Sequence, residues 1–142
     1  IQVTIFKFKF AYYEGSVDDE AVIFDVHDYL ARFSDLAGEC GFSRQVIAEV
    51  GGYEIPAFVR REEGAPKVYV SSGMHGDEPA GPLALLELLK EGLLVSEVEW
   101  MLCPMMNPTG VSKGCRENHQ GLDLTETIFA GLQSTALLAL DS

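Results

Sequence analysis

Three runs in a fixed order restrict the fold most: KVYVSS at 67–72, a leucine-rich segment at 79–91, and VEWMLCPM at 98–105. The first is β-branched without clean alternation, as in a parallel strand buried on both faces. Leu83, Leu85, Leu86, Leu88 and Leu89, followed by Lys90 and Gly92, predict a helix with a basic last turn. Strand, helix, strand predicts a parallel pair joined by a right-handed crossover. Ahead of them, RQVIAEV and YEIPAFVRR flank Gly51–Gly52 and predict a hairpin with a two-glycine turn. Pro56 lacks a backbone N–H and points to an edge or a bulge. The expected fold class is therefore α/β, a mixed β-sheet with helices on its faces.

The flanks carry weaker patterns. Ile1, Val3 and Ile5 on one parity, then Phe6, Phe8 and Phe10 on the other, predict a strand over 1–10. Val22, Val26, Tyr29, Leu30, Phe33, Leu36 and Ala37 recur at helical spacing and predict a helix over 17–37. Ser16 with Asp19 would open it and Gly38 would close it. His27, inside that helix, reads as a surface histidine. Residues 106–121 are polar and turn-rich, and 126–140 turn apolar again with helical potential. With no repeat and no linker, 142 residues read as a single domain, 1–142.

Charge excludes some function classes. Ten basic against 22 acidic residues give a net charge of −12, which repels phosphate backbones and anionic membranes. No nucleic-acid or membrane partner is expected, and no apolar run reaches spanning length. Cys40, Cys103 and Cys115 are odd in number and widely spaced, without CxxC. That pattern fits reduced thiols in a cytoplasmic protein better than a disulfide framework or a zinc ribbon.

The chemistry gathers after the 67–72 run, in SSGMHGDEPAG. Ligands of open α/β sheets collect beyond the carboxyl ends of the strands. Gly73 and Gly76 bracket His75, and Pro79 suits a first helical turn, so Glu78 falls beside the helix start. An imidazole and a carboxylate at i and i+3 across such a turn can converge on one cation, and zinc accepts both at about 2.0–2.2 Å. Capping and solubility would use the same residue types, so these positions alone leave both readings open.

A second cluster, MNPTGVSKGCRENHQGLDL at 106–124, follows the next strand. Together, HGDE after one strand and NPTG, CREN and GLDL after the next resemble the zinc carboxypeptidase superfamily, including its aspartoacylase and succinylglutamate desuccinylase relatives. The resemblance covers about residues 43–124. It implies a carboxypeptidase-like (phosphorylase/hydrolase-like) architecture, zinc as cofactor, and hydrolysis of a peptide or N-acyl amino acid. Carried over by position, His75 and Glu78 match two zinc ligands. Arg116 matches an arginine that polarises the scissile carbonyl and stabilises its oxyanion, a strong device wherever negative charge develops. Asn107, Pro108 and Gly110 match the turn opening the substrate side, and Asn107, Arg116 and Asn118 are the implied substrate-binding residues. Asn118, Gly121, Asp123 and Leu124 match the shaping of the loop that follows.

The pattern breaks after Asp123–Leu124. Where the family continues with Asn-Arg, gripping a substrate carboxylate, this chain has Thr125 and Glu126. The family's third ligand, a histidine, and its general-base glutamate come later than this sequence extends, which ends at Ser142. His119 sits in the arginine loop and does not match that ligand. Glu126, Asp77 and Asp123 are base candidates by residue type alone. The resulting expectation is a truncated, N-terminal half of a metallohydrolase domain with an incomplete site. A homo-oligomer would cover its open sheet edge. The alternative is a non-catalytic remnant acting as an oligomeric binding or structural module. Nucleophile chemistry at Ser71, Ser72 or Cys115 lacks a GxSxG elbow.

Overall fold

The computed structural model describes residues 24–126. Seven elements follow in order: α1 (Val26–Glu39), β1 (Ser43–Val50), β2 (Tyr53–Arg60), β3 (Lys67–Ser71), α2 (Ala80–Lys90), β4 (Glu99–Cys103) and α3 (Pro108–Lys113). The four strands form one mixed sheet in the order β1-β2-β4-β3. β1 and β2 are antiparallel, as are β2 and β4, whereas β3 runs parallel to β4. The expected α/β class, hairpin and parallel pair are all present.

Local chemistry sets the boundaries. Asp25 caps α1 in an extended conformation, its side chain accepting the Asp28 N–H at 2.9 Å. That cap starts the helix at Val26, later than the expected 17; residues 17–23, with Ser16 and Asp19, lie outside the described residues. The far end also differs. Gly38 is helical, Cys40 is the cap, and Gly41 takes the left-handed turn at φ 82°. Gly51 and Gly52, at φ 58° and 81°, make the hairpin turn whose twist matches the flanking strands. Pro56 lies opposite a bulge between Val46 and Ala48, before β2 begins to pair with β4 at Phe58. The strand expected over 1–10 and the helical potential of 126–140 fall almost wholly outside the described residues.

One core binds the elements. Val26, Tyr29, Leu30, Phe33 and Ala37 of α1 meet Leu85, Leu86 and Leu89 of α2 over Phe58 of β2 and Leu102 of β4. Phe33 and Phe58 are fully buried with ring centroids 4.9 Å apart, and each contributes about 1.5–3 kcal/mol by leaving water. Tyr29 donates its hydroxyl to the Pro82 carbonyl at 2.8 Å, tying α1 to α2. Arg60 lies over the Phe42 ring and donates to the carbonyls of Cys40, Leu94 and Val95.

β3 differs from its expected burial. It is the end strand of the described sheet, and Tyr69, paired with Met101 on the face away from the helices, is 47 % exposed. β-branched composition marks a pleated strand but does not say how many neighbours cover it.

Candidate metal centre

Two loops leave the sheet from adjacent strand ends, and the ladder carries on between them. Ser72 N–H donates to Cys103 O, Met106 N–H to Ser72 O, and Asn107 N–H to Gly73 O, at 2.8–3.0 Å. The Ser72 hydroxyl donates to Pro104 O at 2.6 Å. Gly73, at φ 66°, turns the first loop away from the strand. Gly76 then lies directly against the backbone of Gly110 and Cys115, where any Cβ would collide. The two glycines that bracket His75 in the sequence thus serve different needs, Gly73 a positive φ and Gly76 the approach of backbone to backbone.

Asn107 fastens the junction from inside. It is 1 % exposed; its amide N–H groups donate to Met74 O at 3.0 Å and Arg116 O at 3.4 Å. Its Oδ1 accepts from Gly110 N–H and the Thr109 hydroxyl. Asn107, expected on the substrate side, is a buried tie whose side chain bonds the backbone of both loops and the Thr109 hydroxyl. It also caps α3, a helix the turn-rich composition of 106–121 concealed. Asn118, the other expected substrate-side asparagine, accepts the N–H groups of Gln120 and Leu122 and shapes its own loop.

The clasped loops bring His75, Glu78 and Arg116 together. His75 Nδ1 lies 3.3 Å from Glu78 Oε2. That separation is about what two adjacent corners of a tetrahedral zinc site require when each bond is about 2.0–2.1 Å. Arg116 Nη1 lies 3.5 Å from Glu78 Oε1, and its Nε donates to Asp123 Oδ2 at 3.0 Å. The guanidinium is 44 % exposed and the imidazole 15 %. His75 and Glu78 thus fit half of a zinc centre by donor type and spacing. Among the described residues no group of three His, Cys, Asp or Glu is arranged to hold a metal. His119 is exposed and lines a separate cleft of about 240 Å³ with Lys113 and Cys115.

Asp123 has a role that residue type did not reveal. Its Oδ1 faces the far nitrogen of His75, Nε2, at 3.2 Å and accepts the Thr125 N–H at 2.9 Å. Loss of solvent works against its charge, but the N–H groups of Thr125 and Glu126, then His75 and Arg116, outweigh it and hold the carboxyl below its ordinary range. A carboxylate so engaged accepts protons poorly, which argues against Asp123 as a general base. Arg116 is held above its ordinary value: partial desolvation opposes its charge, and the bond and charge of Asp123, with Glu78 and Asp77, more than offset it. The Thr125 hydroxyl stands 2.9 Å from His75 Nε2. Sequence reasoning saw Thr125 only as a departure from a pattern, since its contact depends on the helical turn that starts at 124.

Comparison with known proteins follows the same residues. The family model for zinc carboxypeptidases matches residues 31–126. A candidate metallopeptidase of Shewanella amazonensis superposes with a TM-score of 0.65 at 28 % identity, covering 70 % of this chain and 39 % of that one. A candidate metallopeptidase of Shewanella baltica superposes at 0.64 with 32 % identity, covering 70 % and 38 %. An aspartoacylase family protein of Mesorhizobium loti shares the fold at 0.50 and 24 % identity, covering 59 % and 29 %. The chain therefore spans less than half the length of the solved structures it resembles. No curated protein sequence matches it. No described helix is long and apolar enough to cross a membrane.

Proposed function

The chain belongs to the zinc carboxypeptidase family, and from that premise we propose that it forms part of a zinc-dependent hydrolase site acting on a peptide or N-acyl amino acid bond. The observation that carries this reading is the convergence of His75 Nδ1 and Glu78 Oε2 at 3.3 Å beside the Arg116 guanidinium. His75 and Glu78 would hold the metal, which when bound supplies Lewis acidity to a substrate carbonyl and to water. Arg116, tethered at Nε by Asp123 and part-exposed, is a fixed cation that can meet the carbonyl oxygen as it gains charge. The clasped loops fix the spacing of cation and metal donors before substrate arrives.

Glu126 stands where the resemblance places an anion-gripping arginine, so a substrate carboxylate would be repelled there. A third metal donor and a proton acceptor, which such a site needs, are beyond what His75, Glu78 and Arg116 supply. The test is zinc content together with hydrolysis of short peptides and N-acyl amino acids. Stoichiometric zinc, lost in His75→Ala, with turnover lost in both His75→Ala and Arg116→Ala, is expected. A protein that takes up no zinc and turns over neither substrate class would overturn the enzyme reading and leave a non-catalytic binding module.

A further inference from the structure

We infer that Thr125 is a positioning residue for His75: its hydroxyl, with the Asp123 carboxylate, fixes the imidazole so that Nδ1 faces Glu78, the side from which it would bind a metal. The inference rests on the metal reading of His75 and Glu78 and assigns a residue to its support.

The geometry is a two-point grip on one ring nitrogen. His75 Nε2 is 2.9 Å from Thr125 Oγ1 and 3.2 Å from Asp123 Oδ1. Carboxylates only accept, and one faces each ring nitrogen, Asp123 at Nε2 and Glu78 at Nδ1; a metal taking the Nδ1 lone pair would confine the ring proton to Nε2. That proton would have Thr125 Oγ1 as its nearer acceptor and Asp123 Oδ1 as its farther one. One acceptor fixes a direction; two acceptors at an angle also fix the rotation of the ring plane. The grip is itself anchored, because Asp123 Oδ1 accepts the Thr125 N–H at 2.9 Å. The side chain that completes the grip is thus placed by the carboxylate that begins it. Groups that orient a metal-binding histidine commonly alter metal affinity by about 10–100-fold when removed.

Thr125→Val removes the hydroxyl and keeps the shape; Thr125→Ser keeps the hydroxyl. The chain has only three histidines, so long-range proton–nitrogen NMR spectra at pH 8 resolve each ring. In the metal-free protein, the His75 tautomer ratio should be the same in wild type and Thr125→Ser. Thr125→Val should shift its tautomer ratio by about fivefold while His27 and His119 stay unchanged. Zinc titrated into the same samples should bind about tenfold more weakly to Thr125→Val, with Thr125→Ser within twofold of wild type. An unchanged His75 tautomer in Thr125→Val would overturn the assignment, as would an unchanged zinc affinity. Zinc failing to perturb His75 in wild type would overturn the metal reading instead, and the metal-free tautomer shift would still decide the role of Thr125.

Discussion

Arg116 and His75 are held by opposite oxygens of one carboxylate: Asp123 Oδ2 accepts the Arg116 Nε–H at 3.0 Å, and Oδ1 meets His75 Nε2 at 3.2 Å. The cation proposed to meet a substrate oxygen and the imidazole proposed to hold a metal therefore share a single orienting group. A change at that group should disturb both at once.

Asp123→Asn tests this through pH. The native carboxyl sits below its ordinary value, so the unfolded chain binds its proton more tightly than the folded one. Its contribution is complete above the unfolded value of about 3.9 and is lost as pH falls through the lower folded value. Melting temperature in wild type should decline from about pH 5 to about pH 2, and Asp123→Asn should start lower and decline less steeply. Parallel acid profiles for the two proteins would contradict the proposed sharing.

Gly76→Ala should separate the two loops. The added methyl group would enter the space held by the backbone of Gly110 and Cys115, which cannot rotate aside as a side chain does. A loss of about 3 kcal/mol is expected, read as a melting temperature about 10 °C or more lower. Gly52→Ala meets no neighbouring atom, and its only cost is the strained φ of 81°. It should be the milder change.

Asn107→Ala should destabilise by about 3 kcal/mol, measured by urea unfolding, because it strands buried groups on both loops. Met74 O and Arg116 O lose a donor, and Gly110 N–H loses its acceptor. Asn118→Ala, which removes the acceptor for two N–H groups in a more exposed loop, should cost about 1 kcal/mol.

Much of this was legible in the sequence. The hairpin followed from Gly51–Gly52 between β-rich runs, and α2 from its leucines and Lys90. His75 and Glu78 stood out because their loop follows a strand, Arg116 only through the family resemblance, and the fold brings the three together. The start of α1 was missed because apolar spacing continues through Val22, whereas the cap at Asp25 depends on one side chain meeting one N–H. The C-terminal glycine was misplaced for a similar reason. Gly38 and Gly41 are both near the end of the periodic run, and only the backbone shows which is left-handed. The Asp123–His75–Thr125 contacts join residues 48 and 50 positions apart, a relation no local pattern expresses.

Tyr29→Phe probes the core from the alkaline side. Burial pushes the Tyr29 phenol well above its ordinary value of about 10, so the folded state holds that proton more tightly than the unfolded one. The contribution is present below about pH 10 and is lost as pH rises beyond it. Tyr29→Phe should be about 1–2 kcal/mol less stable at pH 7, since Pro82 O loses its donor, and should show a shallower decline between about pH 9 and pH 11.

The hydrogen bonds that continue past β3 and β4 give the site a mechanical property. Loops normally wander independently of their neighbours, but the amides of Met106 and Asn107 are committed to Ser72 and Gly73 across the gap. The two motifs, 41 residues apart from His75 to Arg116, are consequently one stiff lip of the sheet: thermal motion would swing them in unison and leave the distance between imidazole and guanidinium almost untouched.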